Sequence, residues 1–121
     1  MEGDSMRAPE PPDCTDHLTD LPPLTQERFA LIARGLAHPA RVRIVERFED
    51  REPLMARDIV CGCTLAQSTV SDHLRILREA DILHATKDGP RMWYCLRRAL
   101  LRQFARAIED LASDLALTVS R

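Results

Sequence analysis

Two sets of side chains in this 121-residue chain have types and spacings suited to chemistry. The first is a set of thiols: Cys61-Gly62-Cys63, with Cys14 near the N-terminus and Cys95 in the second half. Trigonal thiolate sites suit As(III), and soft thiolate sets suit Cd, Pb or Hg. Residues two apart on a continuous helix point roughly 200° away from each other, so Cys61 and Cys63 meet at one ion only if Gly62 unwinds. The reading is therefore a soft-metal set of Cys61 or Cys63 with Cys14, beside two alternatives: thiol oxidation, or burial of the thiols as small apolar residues. The second set is polar and runs from Gln67 through Ser68, Thr69, Ser71 and Asp72 to Arg75. Short hydroxyls, a carboxylate and a guanidinium gathered at the leading end of one helix can reach base edges and phosphates in a DNA major groove.

Those polar residues need a helix with an apolar back. Val70, Leu74 and Leu77 supply it at i, i+4 and i+7, one stripe of a 3.6-residue period. His73 lies toward this packing face and reads as a structural histidine. Ser68 and Thr69 also suit the capping of the helix start.

The flanking segments position the helix. Thr25 starts a first helix with the stripe Phe29, Ile32, Ala33 and Leu36. Pro39 opens a second helix, about 39–50, burying Val42, Ile44, Val45 and Phe48. A short third helix from Leu54 to Cys61 has Met55, Ile59 and Val60 inward and closes at Gly62. Two helices joined by a short turn near a glycine, the second with a polar leading face, make a helix-turn-helix. Strand-like runs at 82–86 and 91–96 then flank Lys87-Asp88-Gly89-Pro90, whose Asp-Gly favours a tight hairpin turn. Lys87 and Arg91 would touch phosphate or the minor groove from that hairpin. A last helix, about 97–116, carries more apolar residues than one small core can cover. Leu100, Phe104, Ile108 and Leu111, with Phe29 and Ile32 of the first helix, are expected at a dimer interface. The order of elements is that of a mainly α (α+β) winged helix-turn-helix: five helices, with a two-stranded β-hairpin wing between helices 4 and 5.

Composition sets outer bounds. Length allows one domain, and with aromatics at 4% its core must come from Leu, Ile, Val and Ala. The net charge of −2 is unevenly spread. Residues 1–23 are net −5 and hold five of the eight prolines, so they read as a disordered acidic tail preceding a DNA-binding and dimerisation domain at 24–121. Residues 66–106 are net +4, placing the positive field around the polar helix. There is no apolar run long enough for a membrane span and no signal peptide, so the chain is expected in the cytoplasm, with reduced thiols and no disulfide framework. No phosphate-cradling glycine loop, paired carboxylates or activated nucleophile suggests an enzyme, and the four His are scattered at 17, 38, 73 and 84.

Four ordered motifs between about residues 28 and 112 resemble the ArsR/SmtB family of bacterial repressors. Leu36-Ala37-His38-Pro39-Ala40-Arg41-Val42-Arg43-Ile44 is similar to its "L-A-x-P-x-R-x-x-I" opening, and Ala66 to Leu74 to its "S-Q-S-T-V-S-x-H-L" recognition helix. Leu77 to Leu83 resembles "L-R-E-A-G-L-V", with Asp81 in place of the glycine, and Asp88 to Leu96 resembles its wing. The resemblance implies a homodimer on a double-stranded, pseudo-palindromic operator, and repression relieved by an effector. Asp72 departs from the family pattern: a carboxylate there accepts from a cytosine amino group or repels phosphate. The family's thiolate pair at the start of the third helix would fall near 54–57, where this chain has no cysteine. Residues 97–121 hold no His or Cys, which argues against the family's last-helix site for Zn, Co or Ni. The alternative reading is a winged-helix protein-interaction module that never binds DNA specifically.

Overall fold

The computed structural model describes residue 14 and residues 21–49, 51–61 and 65–119, with side chains described up to Ser113 except that of Cys61. Helix α1 (Gln26–Gly35) begins where the Thr25 hydroxyl accepts from the Arg28 N–H at 3.1 Å. Helix α2 (Pro39–Glu46) begins at His38, whose Nδ1 accepts from the Ala40 N–H at 3.0 Å, with Pro39 at the first position. Its helical hydrogen bonding gives way to turns over 47–49, so it is shorter than its apolar pattern predicts.

The third segment is not one helix. Leu54 and Met55 form a short strand, β1 (Leu54–Met55), and only then does α3 (Ala56–Cys61) start. The reason lies far ahead in the chain: Leu54 pairs with Tyr94 and Met55 with Trp93. Long-range strand pairing therefore overrides the local helical pattern. The hairpin itself is β2 (Leu83–Asp88) and β3 (Arg91–Leu96), paired from Leu83↔Leu96 to Asp88↔Arg91 around Gly89-Pro90. Gly89 has φ +61°, the left-handed conformation that the Asp-Gly signal anticipates. With β1 added, the expected two-stranded wing becomes a three-stranded antiparallel sheet, β1-β3-β2.

Helix α4 (Gln67–Glu79) turns Val70, His73, Leu74 and Leu77 into the core. It stops at Ala80, and the chain reverses through Asp81 at φ 67°. This is the position where the resembled motif has glycine. Asp81 sits there with its carboxylate 3.2 Å from Arg28 and 4.0 Å from Arg97, tying the turn to α1 and to the start of the last helix. Gly35, at the end of α1, is needed for close approach: a Cβ there would lie 2.8 Å from Ile82 Cδ1 and 2.9 Å from Ala80 Cβ.

The core joins every element, with Ile32, Ile44, Phe48, Leu54, Ile59, Val70, Leu74, Leu77, Ile82, Leu83, Tyr94, Leu96 and Leu100 all buried. Two expectations are corrected here. Ile32 and Leu100, assigned to a dimer face, are 1% and 0% exposed within a single chain and have no surface left to give a partner. The rest of the expected face behaves differently. Phe29 of α1 stacks on Phe104 of α5 (Arg98–Val119) with ring centroids 4.9 Å apart. Ile108 and Leu111 further along α5 remain 42% and 51% exposed, as does Leu31 at 44%. Most of residues 1–23 fall outside the described residues. Leu21 nevertheless packs against the core, and the Gln103 amide donates to the Pro22 carbonyl at 3.1 Å, so ordered structure begins before residue 24. Among the described residues, no helix is long and apolar enough to cross a membrane.

Candidate nucleic-acid interface

The polar face of α4 is fully presented. Gln67, Ser68, Thr69, Ser71, Asp72 and Arg75 are all exposed, as are Lys87 and Arg91 on the hairpin. Gln67 and Ser71 share one stripe with Arg75 and Arg78, because i, i+4, i+8 and i+11 stack on one side of a helix. That stripe faces a groove of about 600 Å³ between α3, α4 and β3. Its floor is apolar, from Met55, Val60, Leu74, Met92 and Tyr94, and its walls carry Arg57, Arg75, Arg78 and Arg91. None of the lining residues among the described residues is acidic. Four guanidinium groups around one open groove make a site for a polyanion, since planar N–H forks match phosphate oxygens in geometry and charge.

Arg75 donates to Glu79 at 3.1 Å, but both groups are more than half exposed. Such an i,i+4 pair is worth only ~0.5 kcal/mol, so a phosphate can displace it. Ser68, Thr69, Asp72 and Lys87 lie outside the groove lining. Ser68 and Thr69 do not cap the helix, contrary to the sequence expectation. They sit inside its first turn, and the N-cap is Ala66, which provides no side-chain bond. Among the described residues, no side chain caps the first turn of α4.

Arg57 and Arg78 were not anticipated from sequence. Arg78 carries a readable signal, three residues after Arg75 on the same stripe. Arg57 carries none, because its approach to the groove depends on α3 being docked by the β1–β3 pairing.

The interface is held from behind. Arg41 of α2 donates through Nε to the Gly35 carbonyl at 2.8 Å and reaches His73 Nδ1 at 3.1 Å. An arginine can only donate, so His73 Nδ1 accepts, and the ring carries its proton on Nε2. The rings of His38 and His73 lie 4.6 Å apart. Burial, then the neighbouring His38 and Arg41 charges, lower the His73 pKa, against a smaller upward pull from Asp72. The sequence assignment of His73 as a packing residue agrees with its 7% exposure.

The cysteines depart from expectation. Cys14 and Cys95 form a disulfide, with Cα atoms 5.4 Å apart and a sequence separation of 81. The thiols are therefore not all free, and the Cys14 sulfur is engaged on β3 instead of at Cys61 or Cys63. Cys63 and the side chain of Cys61 lie outside the described residues. Cys95 is buried.

Comparison with known proteins accords with this geometry. Residues 38–85 match the family model described as "Bacterial regulatory protein, arsR family". Over 63 residues the chain is 36% identical to the uncharacterised helix-turn-helix-type transcriptional regulator Rv0081 of Mycobacterium tuberculosis, covering 52% of this chain and 55% of that protein. The chain thus spans about half the length of the curated relative it matches. Against the crystal structure of Rv0081 the identity is 32%, covering 74% of this chain and 91% of that one, with a TM-score of 0.54. Two more distant structures share the fold. An ArsR-like transcriptional regulator from Rhodococcus sp. RHA1 is 18% identical with a TM-score of 0.68, covering 78% of this chain and 88% of its own. The homodimeric winged helix-turn-helix DNA-binding domain of Mb0332 from Mycobacterium bovis is 20% identical with a TM-score of 0.58, covering 74% and 83%.

Proposed function

Because the chain belongs to the ArsR family of bacterial regulatory proteins, we propose that it is a sequence-specific DNA-binding transcriptional repressor that works as a homodimer. The observation that carries this reading is the arginine-walled groove, with no carboxylate among its described lining residues, flanking an exposed polar helix. In this reading Gln67, Ser68, Ser71 and Arg75 meet base edges, with Gln67 suited to adenine and Arg75 to guanine. Arg57, Arg78, Arg91 and Lys87 neutralise phosphates, and the uncapped start of α4 takes another. Two copies joined through the exposed apolar side of α5 and α1 would place their recognition helices in successive major grooves, roughly 34–36 Å apart. The protein acts by binding in the cytoplasm and not by catalysis, in keeping with relatives that are transcriptional regulators.

Repression of this kind ends when an effector favours a weak-binding conformation. Thiol chemistry is the class of effector this chain is equipped for, and a soft metal or metalloid at Cys61 and Cys63 remains part of the proposal. The test is fluorescence anisotropy on duplexes from the chain's own upstream DNA. A repressor binds one duplex far more tightly than a scrambled one, and its affinity falls steeply with salt. Equal, weak retention of both duplexes would sink the reading in favour of a protein-interaction module.

A further inference from the structure

We propose that Cys14 and Cys95 form a reversible thiol–disulfide site oxidised by hydroperoxides, with Cys14 as the sulfur that meets the oxidant and Cys95 as the resolving thiol. The inference deepens the thiol-effector part of the reading above, but its chemistry stands whether or not the chain binds DNA.

The division of roles follows from burial. Cys95 is 1% exposed, near the end of β3, whereas Cys14 is only partly buried. A dissolved oxidant reaches Cys14 first. The Cys14 thiolate attacks the outer oxygen of the hydroperoxide. An S–O bond forms, the O–O bond breaks, and the leaving alkoxide takes a proton and departs as an alcohol. The Cys95 thiolate then attacks the Cys14 sulfenic sulfur. The S–S bond forms, the S–O bond breaks, and hydroxide leaves as water with the second proton. Two thiols lose two electrons and the hydroperoxide gains them. Reduction reverses the state by two successive exchanges with a small monothiol, the first at Cys14, releasing that thiol as its own disulfide.

The surroundings accommodate the bonded form. A carboxylate oxygen of Glu52 and both sulfurs lie within 4.8 Å of one another. Glu52 is already satisfied, accepting from the Leu96 N–H at 2.8 Å and from Arg98 at 2.8 Å and 3.1 Å. A disulfide, like two thiols, sits beside this balanced pair without adding charge, so a thiolate need form only transiently at the moment of attack.

The bond also has something to control. Cys95 lies three residues before α5 begins at Arg98, so the disulfide fastens the N-terminal segment to the junction of wing and last helix. Among the described residues, that segment is otherwise held by the packing of Leu21 and Leu24 and by the Gln103–Pro22 hydrogen bond.

The experiment uses the full chain with Cys61→Ser and Cys63→Ser as background, reduced and then treated with hydrogen peroxide. We expect intact mass to fall by two hydrogens, with a Cys14–Cys95 peptide after digestion, and thiol reagents to restore the starting mass. In Cys95→Ser, or Cys95→Ala if the serine form folds poorly, a cyclic diketone should trap a sulfenic acid at Cys14. In Cys14→Ser, Cys95 should stay unmodified at the same peroxide dose while the chain is folded. Limited proteolysis before residue 24 should be several-fold faster in the reduced protein. The proposal is overturned if peroxide produces no Cys14–Cys95 link, if Cys95 oxidises as readily as Cys14 in the single variants, or if proteolysis is the same in both redox states.

Discussion

The Arg41 guanidinium donates to Nδ1 of His73 across 3.1 Å, locking the second helix to the buried back of α4. The same arginine holds the Gly35 carbonyl at the end of α1, so one side chain joins three helices. The contact requires a neutral His73, because protonation would replace the accepting lone pair with a second donor facing a cation.

This contact makes folding sensitive to acid. His73 has its pKa lowered by burial first and then by His38 and Arg41, with Asp72 opposing. Between the ordinary histidine value of about 6.5 and the lowered folded value, the unfolded chain binds more protons than the folded one. Stability must therefore fall as pH drops below about 6.5 and level off once both states are protonated. Thermal melting across this range should show the slope, and His73→Gln should flatten it. A wild-type melting temperature that holds constant down to pH 5 would remove the argument.

Groove arginines and base-reading residues should separate in binding assays. Arg57→Ala and Arg78→Ala are expected to weaken all duplexes alike, and each should reduce the salt dependence by about one phosphate contact. Gln67→Ala should instead lose about 1–3 kcal/mol of discrimination at one base pair, with little change in the salt slope. Anisotropy titrations at several salt concentrations on cognate and scrambled duplexes distinguish the two patterns.

The two ends of the α5 apolar stripe should respond in opposite ways. Leu100→Ala, at a fully buried position, should cost about 2–5 kcal/mol of unfolding free energy by urea denaturation. Ile108→Glu with Leu111→Glu, both at exposed positions, should leave the monomer folded and shift sedimentation from dimer to monomer. A dimer that survives the double glutamate change would show that this face is not the interface.

Gly35→Ala tests the close approach of α1 to the α4–β2 turn. The added methyl would meet Ile82 and Ala80 at under 3 Å, and Ala80 Cβ is fixed to backbone and cannot swing away. The higher helix propensity of alanine is worth at most about 1 kcal/mol. Overpacking at about 1–3 kcal/mol should outweigh it, and a lower urea midpoint is the expected result.

Local pattern was enough for much of this molecule. The period of Val70, Leu74 and Leu77 located α4, His38-Pro39 located the start of α2, and Asp88-Gly89 located the hairpin tip, because each rests on contacts within a few residues. The exposure of the six expected nucleic-acid residues on α4 followed from the same periodicity, and that of Lys87 and Arg91 from their place at the hairpin tip. Tertiary structure alone decided the rest. Leu54 and Met55 became a strand because β3 lay beside them, and that docking brought Arg57 to the groove. Ile32 and Leu100 went to the core while Ile108 and Leu111 did not, since a helix stripe does not say how far along it the core extends. The pairing of Cys14 with Cys95 spans 81 residues, a distance over which spacing carries no information and only the fold brings two sulfurs together.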